Sequence, residues 1–457
     1  MEKKISVAAV AVAAAVTVAV AAFILMDGDD DKGRSKISIG EIGTFVPIYG
    51  NATGDLYIDD DDTNALQSII EGRTTWDRER APYADANVDG VIDSRDIDIV
   101  KNIIAKNPCT VYYEDYYGDT TAVNFPLTNR NIAVTYYQQA EACAILGVLG
   151  DVKVASRAAT AYSTMWPSLK EAVPWGTTGS SAITDDAVEK FIDNGVTLVV
   201  CTPRTENREL AKRLHDERGI DFIQLWYNGE YCISTIQTMA ILMDRQDESK
   251  RYADYCNGVI DDLASKIKDK SAKRLLVISG YNSDKDQLSV LGNGRHGSYV
   301  LVNKYLGDAY TEDGTNQFGF VYHNVEWLVQ NGQRFDAIVY CMSGSSGFST
   351  DEKTGTYVSQ DAYNRKFEET VRYFGKVGAY ESGNVVGSEY PNTFGFSAYA
   401  LLEIIAAQLY PGLFSLDDGV AKLQEWFDRI NVVDIDVRTQ GAYSYTGDDY
   451  RAGYPQL

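Results

Sequence analysis

Residues 84–104 read ADANVDGVIDSRDIDIVKNII, and their oxygen-bearing side chains recur at a spacing that suits a hard cation. Asp85, Asn87 and Asp89 stand two apart, Gly90 follows, and Asp96 closes a twelve-residue loop. A calcium ion takes six to eight oxygens, and a loop of this length supplies them from positions 1, 3, 5, 7 and 12 with a glycine at 6 for the sharp turn. Gly90 fills the turn position and Val91 offers a carbonyl at the next one. Ile97, Val100 and Ile104 then fall on one face of the helix expected to follow. Calcium is the cofactor this pattern predicts.

The pattern occurs twice. In NATGDLYIDDDDTNALQSII, residues 51–70, Asn51, Thr53 and Asp55 occupy the ligand positions, Ile58 matches Ile92, Asp62 matches Asp96 and Leu66 matches Val100. Its glycine has moved, with Leu56 at the turn and Gly54 two residues earlier. Two twelve-residue loops that end in Asp, each with one short helix, resemble a dockerin module, the second copy closely and the first in degenerate form. The resemblance implies calcium ligation by Asp85, Asn87, Asp89, Val91 and Asp96, by Asn51, Thr53, Asp55 and Asp62 in the weaker loop, and a cohesin-like partner.

Bulk properties narrow the remaining possibilities. The chain has 457 residues, beyond the size at which one core keeps growing, so several units are expected. A net charge of −23 argues against a phosphate-backbone partner, and no nucleic acid is expected. Tyrosine is abundant, 31 residues against three histidines, and comes in pairs such as Tyr112–Tyr113, Tyr116–Tyr117 and Tyr136–Tyr137. Such rings suit recognition surfaces as well as half-buried structural positions.

Lys3 and Lys4 precede an uncharged Ala/Val-rich run at 5–26, and a bilayer takes about 20 residues to cross. Asp27, Asp29, Asp30 and Asp31 follow. This order predicts a membrane anchor that leaves the rest of the chain outside the cell, with a cleaved signal peptide as the rival reading. Cys109, Cys143, Cys201, Cys232, Cys256 and Cys341 show no CxxC and no zinc spacing, and their pairing is left open.

From about residue 109, short β-branched runs alternate with helical ones, as in NIAVTYY, VTLVVCT, IDFIQLW, KRLLVISG and FDAIVYC, which predicts α/β units with mainly parallel sheets. The alternation breaks once. Tyr252, Tyr255, Val259, Leu263 and Ile267 recur at three and four, one long helix between two lobes. The expected division is an anchor and acidic tether at 1–36, paired calcium loops at 37–108, a first lobe at 109–246, an interlobe helix at 247–271 and a second lobe at 272–457.

The span from about 111 onward resembles the class III substrate-binding proteins of ABC importers. The resemblance rests on a hairpin with Gly118 at its turn, then Pro126, a strand at 132–135, a helix ending in Leu149-Gly150, a strand at 152–155, and Asp336 opening RFDAIVY. It implies an extracytoplasmic receptor that captures a ferric siderophore, haem or cobalamin between two lobes and delivers it to an ABC-type permease. The alternative is a calcium-dependent cell-surface interaction protein whose α/β body recognises something other than cargo.

In open α/β sheets ligands sit beyond the carboxyl ends of strands. That rule selects Tyr136, Tyr137, Arg157, Arg204 and Trp226 in the first lobe, and Tyr281 and Ser343-Gly344 in the second. Arg295-His296, bracketed by glycines, and His323 join the set. Guanidinium groups would hold an anionic chelate, and phenolates or imidazoles would coordinate its metal. No enzyme is expected: SGSSG at 343–347 has the wrong register for a nucleophile turn, and His215 falls on a polar helix facing solvent.

Overall fold

The computed structural model describes residues 45–78, 81–128, 130–176, 182–227, 229–282, 285–292, 296–313, 319–342, 385–389, 395–440 and 444–445. The apolar run at 5–26, Arg295, the SGSSG stretch and most of 343–395 lie outside them. Among the described residues, no helix is long and apolar enough to cross a membrane.

The two loop repeats each lead into a helix, Asp60–Ile70 and Ser94–Ile104. Both helices open with the same device: Asp59 or Asp93 caps the first turn, and Asp62 or Asp96 three residues on reaches back to the cap's backbone N–H. Leu66, Ile97 and Val100 join Ala52, Ala84 and Ala86 in a small core between the repeats. The repeats approach closely at Gly50, where a Cβ would stand 2.9 Å from Val100 Cγ2 and where φ is +111°.

This unit is bonded through its backbone to the segment that follows it. Residues 46–49 run antiparallel to strand β1 (Cys109–Glu114), with Tyr49 N donating to Tyr112 O at 2.9 Å and Glu114 N to Pro47 O at 2.8 Å. Strand β2 (Thr120–Phe125) completes a two-stranded hairpin, and the loop unit joins its β1 edge through one antiparallel bridge at Ile48 and Tyr113. Val46, Ile48 and Ile103 share one core with Val111 and Tyr113. Lys106 also pairs with Asp244 at 2.5 Å.

The first lobe is a wholly parallel five-stranded sheet in the order β5-β4-β3-β6-β7. Its strands are β3 (Ile132–Val134), β4 (Val152–Ser156), β5 (Val173–Trp175), β6 (Leu198–Val200) and β7 (Asp221–Ile223). The runs IAV, LVV and DFI are buried throughout, as expected of strands covered on both faces. Tyr113 fixes the hairpin to the edge of this sheet: fully buried, its hydroxyl donates to Phe222 O at 2.9 Å and accepts from Gln224 N at 3.2 Å.

The long helix is Gln246–Ile267, 22 residues or about 33 Å. Tyr252, Tyr255, Val259, Leu263 and Ile267 are buried along it, as the spacing predicts. It follows the buried helix Cys232–Met243 after a tight turn in which Asp244 takes a left-handed φ of 57°.

The second lobe departs from the expected mainly parallel sheet. Strands β8 (Lys273–Asn282), β10 (Gly307–Ala309), β12 (Ala337–Met342) and β13 (Val385–Glu389) pair in parallel. Strand β9 (Gln287–Leu291) folds back on β8, and β11 (Phe320–His323) and β14 (Ser444–Tyr445) pair antiparallel with β9 and β13. The turn after β8 is too short for a crossover helix, and parallel pairing across it is impossible.

Tyr113→Phe removes the hydroxyl that serves both Phe222 and Gln224. One buried donor and one buried acceptor then lose their partner, a loss of about 1–3 kcal/mol. Urea unfolding should show a lower midpoint with an unchanged slope.

Candidate functional site

The carboxyl ends of β3 and β6 are tied by side chains. Thr135 Oγ1 accepts from Thr202 N at 2.8 Å, and the Thr202 hydroxyl reaches Gln139 Oε1 at 3.3 Å. Tyr136 stands at the N-cap position of the helix Tyr137–Ile145, with no capping bond from its side chain. Its ring lies 4.7 Å from that of Tyr137, which lies 5.2 Å from Tyr162, which in turn lies 5.9 Å from Trp166. Trp166 Nε1 donates to Asn431 Oδ1 of the second lobe at 3.0 Å. Tyr136 and Tyr137 thus begin an aromatic row that ends at the lobe boundary.

Trp226 follows β7 and is half-buried. Its indole stacks on Tyr116, with centroids 4.6 Å apart and planes 8° from parallel, and Tyr231 meets it edge-on. Tyr117 packs against Tyr116, and Arg208 lies over the Tyr117 ring at 5.1 Å while pairing with Asp119. The turn that carries these tyrosines is held by buried Asp115, whose carboxylate accepts from Tyr117 N and Asp119 N. Sequence reasoning missed Tyr116, Tyr117 and Arg208 as members of the site. The doubled tyrosines were a signal, but only the docking of the hairpin on β7 shows which pair reaches Trp226.

Arg204 and Arg157 also follow strands of this sheet, and His215 lies on the helix after β6. Arg204 precedes the helix Thr205–Arg218 and pairs with Glu206 at 3.3 Å, so a local carboxylate competes for it. Arg157 is exposed at the start of a short helix after β4. His215 does not simply face solvent: its Nδ1 lies 3.0 Å from Oδ1 of fully buried Asp221, which also pairs with Arg130 at 3.2 Å.

In the second lobe, the Tyr281 hydroxyl donates to Asp286 Oδ1 at 3.0 Å, and the same oxygen accepts Val325 N at 3.3 Å. That bridge draws Tyr281 toward the end of β11, where His323 stacks on Trp327 at 3.9 Å and its Nε2 lies 2.9 Å from Glu312 Oε2. His296 is 1% exposed and edge-on to Phe320. Burial pushes its imidazole down to about 3, so the ring is neutral near pH 7.

The lobes meet through buried contacts. Gly229 approaches so near that a Cβ would lie 3.2 Å from Gly297 Cα, Lys304 pairs with Glu230 at 3.0 Å, and Tyr227 meets Phe396 edge-on. Glu141, 4% exposed, accepts from Phe396 N at 3.3 Å and bonds to Ser397, the residue that precedes the helix Ala398–Leu409.

In the loop unit Asp85, Asp96, Asn51 and Asp62 are buried and Asp89 pairs with Arg95 at 2.8 Å. Among the described residues, no three acidic, histidine or cysteine side chains converge as a metal cluster. The donor set at 85–96 is nonetheless all oxygen, the chemistry a hard cation requires.

No protein-family model matches the sequence, and no curated protein matches it. Solved structures do. FepB, a TroA-like periplasmic binding protein from Veillonella parvula, superposes with a TM-score of 0.53 at 16% identity, over 73% of this chain and 99% of its own. A periplasmic solute binding protein from Veillonella parvula gives 0.52 at 13% identity over 72% and 94%. CeuE of Helicobacter pylori, in its Ni-His complex, gives 0.50 at 16% identity over 71% and 97%. At these identities the likeness shows a common fold, that of the periplasmic binding proteins.

Glu141 sets a pH dependence for the lobe contact. Burial raises its carboxyl from 4.5 to about 7, against the opposing effect of Ser397 and Phe396. Its stabilising contribution is therefore complete below about pH 4.5 and lost as pH rises through about 7, on the order of 3 kcal/mol in all. Glu141→Gln should flatten the melting temperature across that interval, a change that thermal scans at stepped pH would detect.

Proposed function

We propose that the protein is the extracytoplasmic binding component of an ABC importer and captures a metal chelate, a ferric siderophore, haem or cobalamin, between its lobes. The observation that carries this reading is the fold: two α/β lobes on one 22-residue helix, superposing on 99% of FepB. The aromatic and cationic groups at the strand ends support it. Trp226 with Tyr116, the Tyr136–Tyr137 pair, and Arg208, Arg204 and Arg157 suit a planar or anionic ligand. Across the boundary, Tyr281, His296 and His323 would complete the site, and Arg295, outside the described residues, would join them.

In this reading the run at 5–26 holds the receptor at the membrane beside its permease. The 85–96 loop binds calcium through Asp85, Asn87, Asp89, the Val91 carbonyl and Asp96, once Asp89 releases Arg95. A cohesin-like partner of the loop unit belongs to the same proposal.

Calorimetric titration with ferric siderophores, haem and cobalamin should give one saturable site at micromolar affinity or tighter for one of these classes. Trp226→Ala and Tyr116→Ala should each weaken it by about ten- to a hundredfold, the loss of about 1–3 kcal/mol of desolvated contact. No binding by any of the three classes would overturn the receptor reading and favour a surface-interaction role.

A further inference from the structure

The helix Tyr137–Ile145 begins at the carboxyl end of β3 with nothing in its own sequence to meet its positive end. The side chain of Tyr136, at the cap position, makes no capping bond, and the first turn holds no acidic residue. The first backbone N–H groups of a helix lack partners within it and carry partial positive charge, which favours an oxyanion over a cation. A helix end alone does not make a site. A second feature of the same turn does point to an occupant, the side chain of Gln139.

Gln139 is fully buried, yet only half of its amide is used. Its Oε1 accepts the Thr202 hydroxyl at 3.3 Å, and its Nε2 has no partner among the described residues. Burying a donor without a partner is costly, so the position calls for an acceptor from outside the chain. The amide is the last member of an oriented series: the Thr135 hydroxyl faces Thr202 Oγ1 at 3.5 Å, and the Thr202 hydroxyl donates on to Gln139. A donor at the end of such a series is polarised by the bonds behind it. Side chains on a helix lean toward its N-terminus, which puts the amide on the side of the open first turn. Tyr136 and Thr202 flank it, just past the adjacent strands β3 and β6, and both are only half-buried. The neighbouring polar groups are turned elsewhere, Gln138 Nε2 to Tyr227 O at 3.5 Å and Glu141 to Phe396 N at 3.3 Å.

We propose that the first turn of this helix and Gln139 Nε2 together hold an oxyanion, a carboxylate or phosphate group, and that the cargo is an anionic chelate with such a group free. The claim on cargo rests on the receptor reading; the anion site does not. A ferric chelate with free carboxylates meets this site, and one built only from neutral hydroxamates does not.

Selective 15N labelling of glutamine side chains in the full chain reads the site without any metal. Free citrate and inorganic phosphate should each shift the Gln139 amide signal with a saturable dependence on concentration. No shift with either anion would overturn the proposal and leave the position to water. A shift with phosphate alone would place free phosphate there and overturn the claim on cargo. Calorimetry with ferric citrate and with a ferric trihydroxamate free of carboxylates tests that claim directly. The first should bind at least about tenfold tighter. Gln139→Glu keeps an oxygen for Thr202 and puts negative charge in place of Nε2, and it should shrink the ratio of the two affinities by about ten- to a hundredfold. Gln139→Met, which removes the donor without adding charge, should lower the same ratio and guards against a folding defect in the glutamate variant. An equal or reversed preference, or a ratio that neither substitution moves, would overturn the claim. If neither chelate binds while citrate still shifts Gln139, the receptor reading fails and the anion site stands.

Discussion

A single buried hydroxyl fixes how three parts of this protein are arranged. Tyr113 sits on the strand beside the loop unit, and its phenol bonds to the backbone at the end of β7, donating to Phe222 O and accepting from Gln224 N. Lifting the hairpin would leave a carbonyl and an amide buried without partners, so the strand cannot drift. From that fixed strand, backbone pairing runs back to Pro47 and Tyr49. In the other direction the turn after β1 carries Tyr116 onto Trp226, where Tyr116 N also donates to Gln224 O at 2.9 Å. The loop unit and the aromatic stack are thus held by opposite ends of one short hairpin.

The second constraint lies between the lobes. The long helix is packed on both sides, with Tyr252 against Phe396 and Trp426 and the Tyr255 hydroxyl donating to Lys422 O at 2.8 Å. Opening the lobes would have to break the Glu141–Phe396 and Trp166–Asn431 bonds as well, and both lie in apolar surroundings where an unpaired polar group is expensive. Lobes joined this way resist a wide hinge motion, and strand-end loops and side chains are the parts left free to move.

The legible parts of the sequence were those where chemistry or periodicity is local. The Tyr252 to Ile267 stripe is set by helical period, and the paired helix-capping aspartates Asp59/Asp62 and Asp93/Asp96 by local sequence, so both could be read without the fold. The β-branched runs IAV, LVV and DFI announced buried strands for the same reason. What escaped was decided by topology. Tyr113 and Phe222 are 109 residues apart, and nothing in either neighbourhood foretells the pairing that carries Tyr116 to Trp226. Arg204 was picked for its place at a strand end, but Glu206 is nearer than any ligand could be foreseen to be. The fold-back of β9 was hidden because a run such as QLSVL looks alike in parallel and antiparallel pairing.

The divergence of the two calcium-type loops follows from what they share. In each, the final aspartate caps a helix as well as standing at the twelfth ligand position, so half of the loop is organised by helix capping whether or not an ion is present. The other half must be held by something else. In the second loop the backbone at Val88 takes a positive φ of 59°, a conformation a β-branched residue adopts only when its surroundings impose it. The equivalent residue in the first loop is Gly54, with φ of 73°, for which that conformation is unstrained. The displaced glycine that makes the first loop look degenerate therefore removes the backbone strain at a position where both loops take a left-handed conformation.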